Sequence, residues 1–200
     1  MNLALQSCGG HCELLFWNVA SDPRSPRGSH GTSWSGVRGL ITRIECHWAA
    51  DRHTVNTLKL GEAEPPEGLV EAMRIGNRWQ DALTAEFVTG RTGNQILAAA
   101  QDSLKKLGIQ HAIYTHPLGV YGHAPGPTIG MWDNQGPTIG RGDWPLYPMT
   151  GYAIEGNVVV EVPEWDDQRV QMKLEQSALF NGKTVHYLAE RQKRLHVVGF

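Results

Sequence analysis

Residues 114–130 decide the fold, and they read Tyr-Thr-His-Pro-Leu-Gly-Val-Tyr-Gly-His-Ala-Pro-Gly-Pro-Thr-Ile-Gly. A short strand is predicted to end at His116, where a loop rich in glycine and proline begins. His123 follows within that loop, seven residues later. A histidine at the end of a strand is a candidate ligand, although a single histidine in such a place is more often structural.

Two glutamates lie inside apolar stretches farther along the chain. Glu155 belongs to Tyr-Ala-Ile-Glu-Gly-Asn-Val at 152–158, and Glu175 ends Val-Gln-Met-Lys-Leu-Glu at 170–175. A carboxylate on the buried face of a strand is costly unless it is paired or bound to a cation. Two such glutamates and His116 make an oxygen-rich site suited to a divalent metal. The alternative is that each glutamate faces water on an alternating strand, which is the commoner case for a single residue.

Charge and composition exclude several classes of protein. The chain has 18 Lys and Arg against 20 Asp and Glu, for a formal charge of −2, and its basic residues form only short runs such as 191–194. A nucleic-acid partner would require a basic patch, and a membrane helix would require a long apolar run. The sequence therefore predicts neither a nucleic-acid partner nor a membrane partner. Its 200 residues are enough for one domain.

Three cysteines are too few for a disulfide framework. Cys8, Cys12 and Cys46 are an odd number, which is typical of a reducing compartment. Because the N-terminus also has no basic leader, the sequence predicts a cytoplasmic location. An alternative is a zinc site that adds His11 and His47, since the spacing from Cys8 to Cys12 is permitted in zinc ribbons and fingers. Scattered free thiols are the simpler interpretation.

The chain changes character near residue 50. Residues 1–50 have no sustained hydrophobic period, and 22–36 is rich in Pro, Gly, Ser and Arg, which indicates irregular or disordered chain. Apolar spacing then predicts a helix from Leu69 towards Phe87 and a second helix that opens at the capping box of residues 92–95. Strands are predicted at 54–60, 111–115, 152–162, 170–180, 184–188 and 195–199. Helices followed by strands predict an α+β class with a mostly antiparallel sheet.

Residues 114–130 resemble a characteristic segment of the pita-bread metallopeptidases, which include Xaa-Pro aminopeptidases, prolidases, methionine aminopeptidases and creatinase. The similarity continues through 131–135 and 141–148 and runs back through 76–81 and 90–94, so that it covers about residues 51–193. The resemblance implies a pita-bread fold with a curved, mostly antiparallel sheet and flanking helices. Residues 51–200 would be a partial catalytic domain of this kind, truncated in its N-terminal half, and residues 1–50 would be a segment that does not match.

The resemblance implies a site for two divalent metals that are held by two Asp, one His and two Glu. His116 matches the histidine ligand. Glu155 matches a glutamate that binds metal and shuttles a proton, and Glu175 matches the glutamate that bridges both metals. His123 matches a second histidine, which lies beside the substrate and helps to stabilise the transition state. The catalytic residues implied in this way are His123 and Glu155.

Only one of the two expected aspartates has a match in this sequence. Asp51 is the best match for the bridging aspartate, because it precedes the strand and turn at 54–61. The first aspartate belongs eleven residues earlier on the same hairpin, where this sequence has Leu40, a residue with no donor atom. Glu45 or His47 would replace it only if the local backbone differed. The resemblance therefore accounts for four of the five ligands.

The implied activity is that of a metal-dependent aminopeptidase or dipeptidase of the Xaa-Pro type, which hydrolyses a peptide bond with a metal-bridging water. The resemblance implies that the metal is Mn, Co or Zn, with two ions in the complete site and one here if the aspartate is absent. It also implies a peptide substrate and a homodimer. The missing aspartate leaves three interpretations. The chain is a fragment or a faulty gene model, a non-catalytic relative that serves as a binding or scaffold protein, or an enzyme with a single metal on His116, Glu155 and Glu175. The first is preferred.

Overall fold

The computed structural model describes residues 39–41, 55–57, 64–119 and 122–198, with side chains in 64–119 and 122–195. Its helices and strands follow in the order β1 (Gly39–Ile41), β2 (Val55–Thr57), α1 (Glu67–Thr84), α2 (Gly93–Lys106), β3 (His111–Ile113), β4 (His116–Pro117), β5 (Thr150–Val162), β6 (Gln168–Phe180), β7 (Val185–Tyr187) and β8 (His196–Val198). Two short 3₁₀ helices, Arg141–Asp143 and Pro163–Trp165, precede β5 and β6. The predicted α+β class is confirmed.

Two antiparallel sheets contain the described strands. The larger has the order β3-β5-β6-β7, with β4 also paired to β5, and the smaller has the order β2-β1-β8. β1 lies within the first fifty residues, where the sequence predicted irregular chain, and it pairs with strands on the far side of the predicted boundary. The division of the chain at residue 50 stays a prediction.

The long hairpin of β5 and β6 is the centre of the larger sheet. Its register runs without a break from Thr150↔Phe180 to Val162↔Gln168. The turn that joins the strands includes Asp166 and Asp167 at positive φ, 56° and 58°, a conformation that aspartate tolerates better than most residues. One face of the hairpin is apolar because its side chains alternate. Its buried residues include Tyr152, Ile154, Val158, Met172, Leu174, Ala178 and Phe180.

Helix α1 covers that apolar face of the hairpin. Its buried side chains, Leu69, Met73, Trp79 and Leu83 among them, belong to the same hydrophobic core as the strands. The helix ends at Thr84, before the Phe87 to which the apolar spacing had pointed. Phe87 is nevertheless buried, because its ring meets Tyr152 edge to face at 5.2 Å between centroids. The other face of the hairpin is left for polar side chains.

Helix α2 begins where the sequence predicts. The Gln95 N–H donates to Thr92 Oγ1 at 3.2 Å, and the Thr92 N–H donates to Gln95 Oε1 at 2.9 Å, so the predicted capping box is confirmed. The helix ends just before Gly108, which has a φ of 68°. No helix in the described part of the chain is long and apolar enough to cross a membrane.

Candidate metal centre

The register of three strands places His116, Glu155 and Glu175 on one face of the sheet. His116 of β4 is paired with Ala153 of β5, and Glu155 follows two residues later on the same face. Glu175 of β6 lies directly opposite Glu155. His116 and Glu155 are therefore diagonal neighbours, and the two glutamates are direct neighbours, which is close enough for the side chains to meet.

The donor atoms of these three side chains converge. One donor atom from each lies within 4.8 Å of the other two, and His116 Nε2 is 3.4 Å from Glu155 Oε2. Donors around a tetrahedral ion, bound at about 2.1 Å, lie roughly 3.4 Å apart. Glu175 is only 7% exposed. The spacing and the ligand types both fit a small divalent cation.

The orientation of His116 directs its Nε2 towards Glu155 and away from the Pro117 carbonyl. Its Nδ1 lies 3.0 Å from the Pro117 carbonyl oxygen, and a carbonyl can only accept, so Nδ1 carries a proton. Nε2, the nitrogen on the glutamate side, is therefore the one that can bind metal. A metal-binding histidine usually donates its other N–H to a carbonyl or a carboxylate in this way.

Electrostatics also favour a cation at this point. Like charges that lie directly opposite on neighbouring strands destabilise a sheet, and a buried carboxylate needs a compensating partner. Burial lowers the pKa of His116, but the hydrogen bonds to Glu155 and Pro117 and the charges of Glu155 and Glu175 outweigh burial and place that pKa above its ordinary value.

A buried threonine fixes the strand that carries Glu155. The Glu155 N–H donates to Thr115 Oγ1 at 3.1 Å, and the same hydroxyl donates to the Glu155 carbonyl at 3.1 Å. The backbone of Thr115 bonds on its other side to Ile129, through N–O distances of 3.0 and 2.8 Å. Thr115 therefore connects Glu155 to the loop that returns past His116.

His123 lies at the edge of the three-residue cluster. Its ring stacks on that of His116, with centroids 3.9 Å apart and planes 18° apart. The Tyr114 hydroxyl lies 3.1 Å from His123 Nε2. Burial and the neighbouring His116 hold the pKa of His123 below its ordinary value, although Glu175 acts in the opposite direction. His123 is exposed, so the ring borders the cluster on the side open to solvent.

The remaining predicted site residues fall outside the described residues. These are Asp51, the alternative ligands Glu45 and His47, and the cysteines with His11. Leu40 lies in β1, opposite Asn56 of β2, so the backbone of the position expected for the first aspartate is placed in a strand pair. Ligand roles for all of these positions, and for His116, Glu155 and Glu175, stay predictions.

The sequence did not predict the parts played by Tyr114, Thr115 and Gln135. The Gln135 side chain pairs with the backbone of Ile113, accepting from its N–H at 2.8 Å and donating to its carbonyl at 2.9 Å. No spacing rule connects such residues, because their contacts arise between a strand and a returning loop. One signal was present for the glutamates: Trp165 lies midway between Glu155 and Glu175 in the sequence, between the predicted strands at 152–162 and 170–180.

Several solved structures are similar to the chain. An X-Pro aminopeptidase from Thermotoga maritima MSB8 is 16% identical, with a TM-score of 0.48, over 76% of this chain and 37% of that chain. An Xaa-Pro dipeptidase from Bacillus anthracis is 18% identical, with a TM-score of 0.48, over 76% and 37%. The N-terminal domain of the FACT complex subunit SPT16 from Cicer arietinum (chickpea) is 12% identical, with a TM-score of 0.48, over 76% and 33%.

No protein-family model matches the sequence, and no curated protein matches it. The chain spans about a third of the length of the three solved structures. Two of these structures are peptidases of the group that residues 114–130 resemble. At identities of 12–18% and a TM-score of 0.48, the likeness establishes neither membership of a family nor an activity.

Proposed function

We propose that His116, Glu155 and Glu175 bind a divalent metal and that this metal site serves the hydrolysis of peptide bonds, as in aminopeptidases or dipeptidases of the Xaa-Pro type. The observation that carries the proposal is the convergence of the three donors within 4.8 Å, two of them carboxylates directly opposite on neighbouring strands. Mn²⁺, Co²⁺ and Zn²⁺ all accept a ligand set of one imidazole and two carboxylates.

Three protein ligands match a site with an open position. Catalytic sites commonly keep three ligands and leave the remaining position to water or substrate, whereas structural zinc sites are closed by four. His116, Glu155 and Glu175 would hold the cation, whose chemistry would be to polarise a scissile carbonyl and to lower the pKa of a water molecule. A single ion satisfies this arrangement, and the second ion of the expected pair would require Asp51 or another ligand.

The two glutamates suit different tasks. The Glu155 side chain is 28% exposed, so its carboxylate is accessible to take a proton from an attacking water and hand it to a leaving amine. Glu175 is buried and suits holding the cation. His123, at the exposed edge, suits donating a hydrogen bond to the oxyanion of the transition state. The substrate of such a site is a peptide.

A second candidate is a protein that keeps the metal site or the fold for binding and does not hydrolyse peptides. The observation that favours it is Leu40 at the position expected for the first aspartate, in the β1–β2 strand pair. A leucine cannot bind metal, so a two-metal site of the expected kind is incomplete there.

Titration with Mn²⁺ tests the proposal, because binding is measured separately from turnover. We expect the full chain to bind Mn²⁺ and Glu175→Gln to weaken that binding at least about 100-fold, since even outer partners of a ligand contribute 10- to 100-fold. Glu161→Gln is the matched control, because Glu161 is an exposed residue on β5. Equal binding by both variants, or no binding by the unmodified chain, would overturn the proposal.

Assay of the Mn²⁺-loaded chain with an Xaa-Pro dipeptide then separates the two candidates. Hydrolysis that is lost in Glu155→Gln supports the peptidase. Tight Mn²⁺ binding with no hydrolysis supports the binding protein instead.

A further inference from the structure

Tyr114 joins His123 to the strand that carries Glu155. Its backbone N–H donates to the Glu155 carbonyl at 2.9 Å, and its hydroxyl oxygen lies 3.1 Å from His123 Nε2. The tyrosine ring also lies beside both imidazoles, with centroid distances of 5.3 Å to His116 and 6.4 Å to His123. Tyr114 therefore links the sheet that carries the three-residue cluster to the loop that carries His123.

The chemistry of the two groups sets the direction of this hydrogen bond. A phenol O–H is a stronger donor than an imidazole N–H, and an imidazole nitrogen is a stronger acceptor than a phenol oxygen. The Tyr114 hydroxyl therefore donates to His123 Nε2. A neutral imidazole has one N–H, and the hydrogen bond made by one ring nitrogen decides which tautomer is present. With Nε2 as the acceptor, the proton of His123 is on Nδ1.

We propose that Tyr114 is a positioning residue that holds His123 as the Nδ1–H tautomer. The Nδ1–H is then the ring's single hydrogen-bond donor, and it is the group that meets the substrate oxyanion. The tautomer follows from the contact with Tyr114 alone, whereas its use on a substrate rests on the proposed peptidase function.

The backbone of the loop around His123 does not fix the orientation of the His123 ring, so neighbouring side chains must do so. Its backbone is closed by the Ala124 N–H, which donates to the Pro117 carbonyl at 3.0 Å, and by the Gly122 N–H, which donates to the Gly119 carbonyl at 3.0 Å. These bonds fix the path of the chain and leave the rotation of the ring undetermined. The stack on His116 sets the plane of the ring, and the Tyr114 hydroxyl distinguishes its two nitrogens.

Nitrogen NMR of the full chain labelled with ¹⁵N-histidine tests the tautomer directly, without substrate or metal. The chain has nine histidines, and His123→Gln identifies the signals of His123 by their loss. We expect an unprotonated Nε2 and a protonated Nδ1 in the unmodified chain. Tyr114→Phe should convert this single form into a mixture of tautomers. Tyr147→Phe is the control, because Tyr147 is 60% exposed, and it should leave the His123 signals unchanged.

A predominant Nε2–H form in the unmodified chain would overturn the proposal, as would an unchanged tautomer in a folded Tyr114→Phe variant. The spectrum of the unmodified chain decides the first point even if Tyr114→Phe fails to fold. Mn²⁺ titration of the unmodified chain distinguishes failure of the proposed function from failure of the proposed tautomer. If the chain shows the expected His123 tautomer but does not bind Mn²⁺, only the proposed function is contradicted. Where dipeptide hydrolysis is measurable, Tyr114→Phe should lower kcat about 10-fold with KM changed less than about twofold.

Discussion

The pentapeptide Gly-Pro-Thr-Ile-Gly occurs twice, at 126–130 and 136–140, and the two copies lie in opposite environments. Ile129 of the first copy is 0% exposed, whereas Ile139 of the second is 94% exposed. Both copies end on a glycine with positive φ, 71° in the first and 80° in the second. The local sequence therefore sets the turn at the final glycine, and the surroundings decide whether the isoleucine is buried.

Each copy is attached to a different part of the molecule. The first forms a two-bond bridge with Thr115, directly before the candidate ligand His116. The second is attached to helix α2 by the Asn94 side chain, which accepts from the Thr138 N–H at 2.8 Å and donates to the Thr138 carbonyl at 3.2 Å. The first copy thus supports the strand that ends in the His116, Glu155 and Glu175 cluster, and the second is an exposed loop at the start of a helix.

Alanine substitution of the two isoleucines should give the largest difference between the copies. We expect Ile129→Ala to lower the free energy of unfolding by about 2–5 kcal/mol, because a fully buried isoleucine leaves a cavity. Ile139→Ala should change it by less than about 0.5 kcal/mol, because its side chain is in water. Urea denaturation of both variants measures the difference. Equal losses would show that the second copy is buried in solution.

The final glycines should differ less, because both have a positive φ. An alanine Cβ at Gly130 would lie 2.2 Å from the Ile113 carbonyl oxygen, whereas nothing lies within 4 Å of one at Gly140. Both substitutions carry the strain of positive φ, about 1–2 kcal/mol. Gly130→Ala adds a collision with backbone, so we expect it to cost about 2 kcal/mol more than Gly140→Ala. Thermal unfolding of the pair tests this, and similar melting temperatures would contradict it.

The distinction between local sequence and tertiary surroundings also explains how much of the fold the sequence predicts. The capping box of α2 and the strands β5 and β6 follow from local chemistry and alternation, and the structure has them where the sequence places them. The end of α1 does not follow from the sequence in this way. The apolar spacing extends to Phe87 because that side chain is buried against Tyr152, although the helix has already ended at Thr84. Two identical pentapeptides with different burial show that local sequence alone does not determine tertiary contacts.

The candidate site also has one part that the sequence predicts and another part that it does not. The residue types of His116, Glu155 and Glu175 indicated a metal site, whereas the pairing of the two glutamates opposite each other is known from the register of β5 and β6. The contacts of Tyr114 and Thr115 were not predictable, because they depend on where a loop returns to the sheet. The candidate ligands are therefore easier to find in this sequence than the residues that hold those candidate ligands in place.

Thr115 provides the test with the smallest expected effect, because its backbone pairs with the first pentapeptide and its hydroxyl contacts the backbone of Glu155. Thr115→Val keeps the shape of the side chain but removes the hydroxyl that accepts from the Glu155 N–H, whereas Thr115→Ser keeps that hydroxyl. Because a buried donor loses its partner, we expect Thr115→Val to lower the free energy of unfolding by about 1–2 kcal/mol and Mn²⁺ affinity about tenfold. Thr115→Ser should keep most of that affinity. If both variants bind Mn²⁺ equally well, the hydroxyl does not position Glu155, and the first pentapeptide supports only the fold.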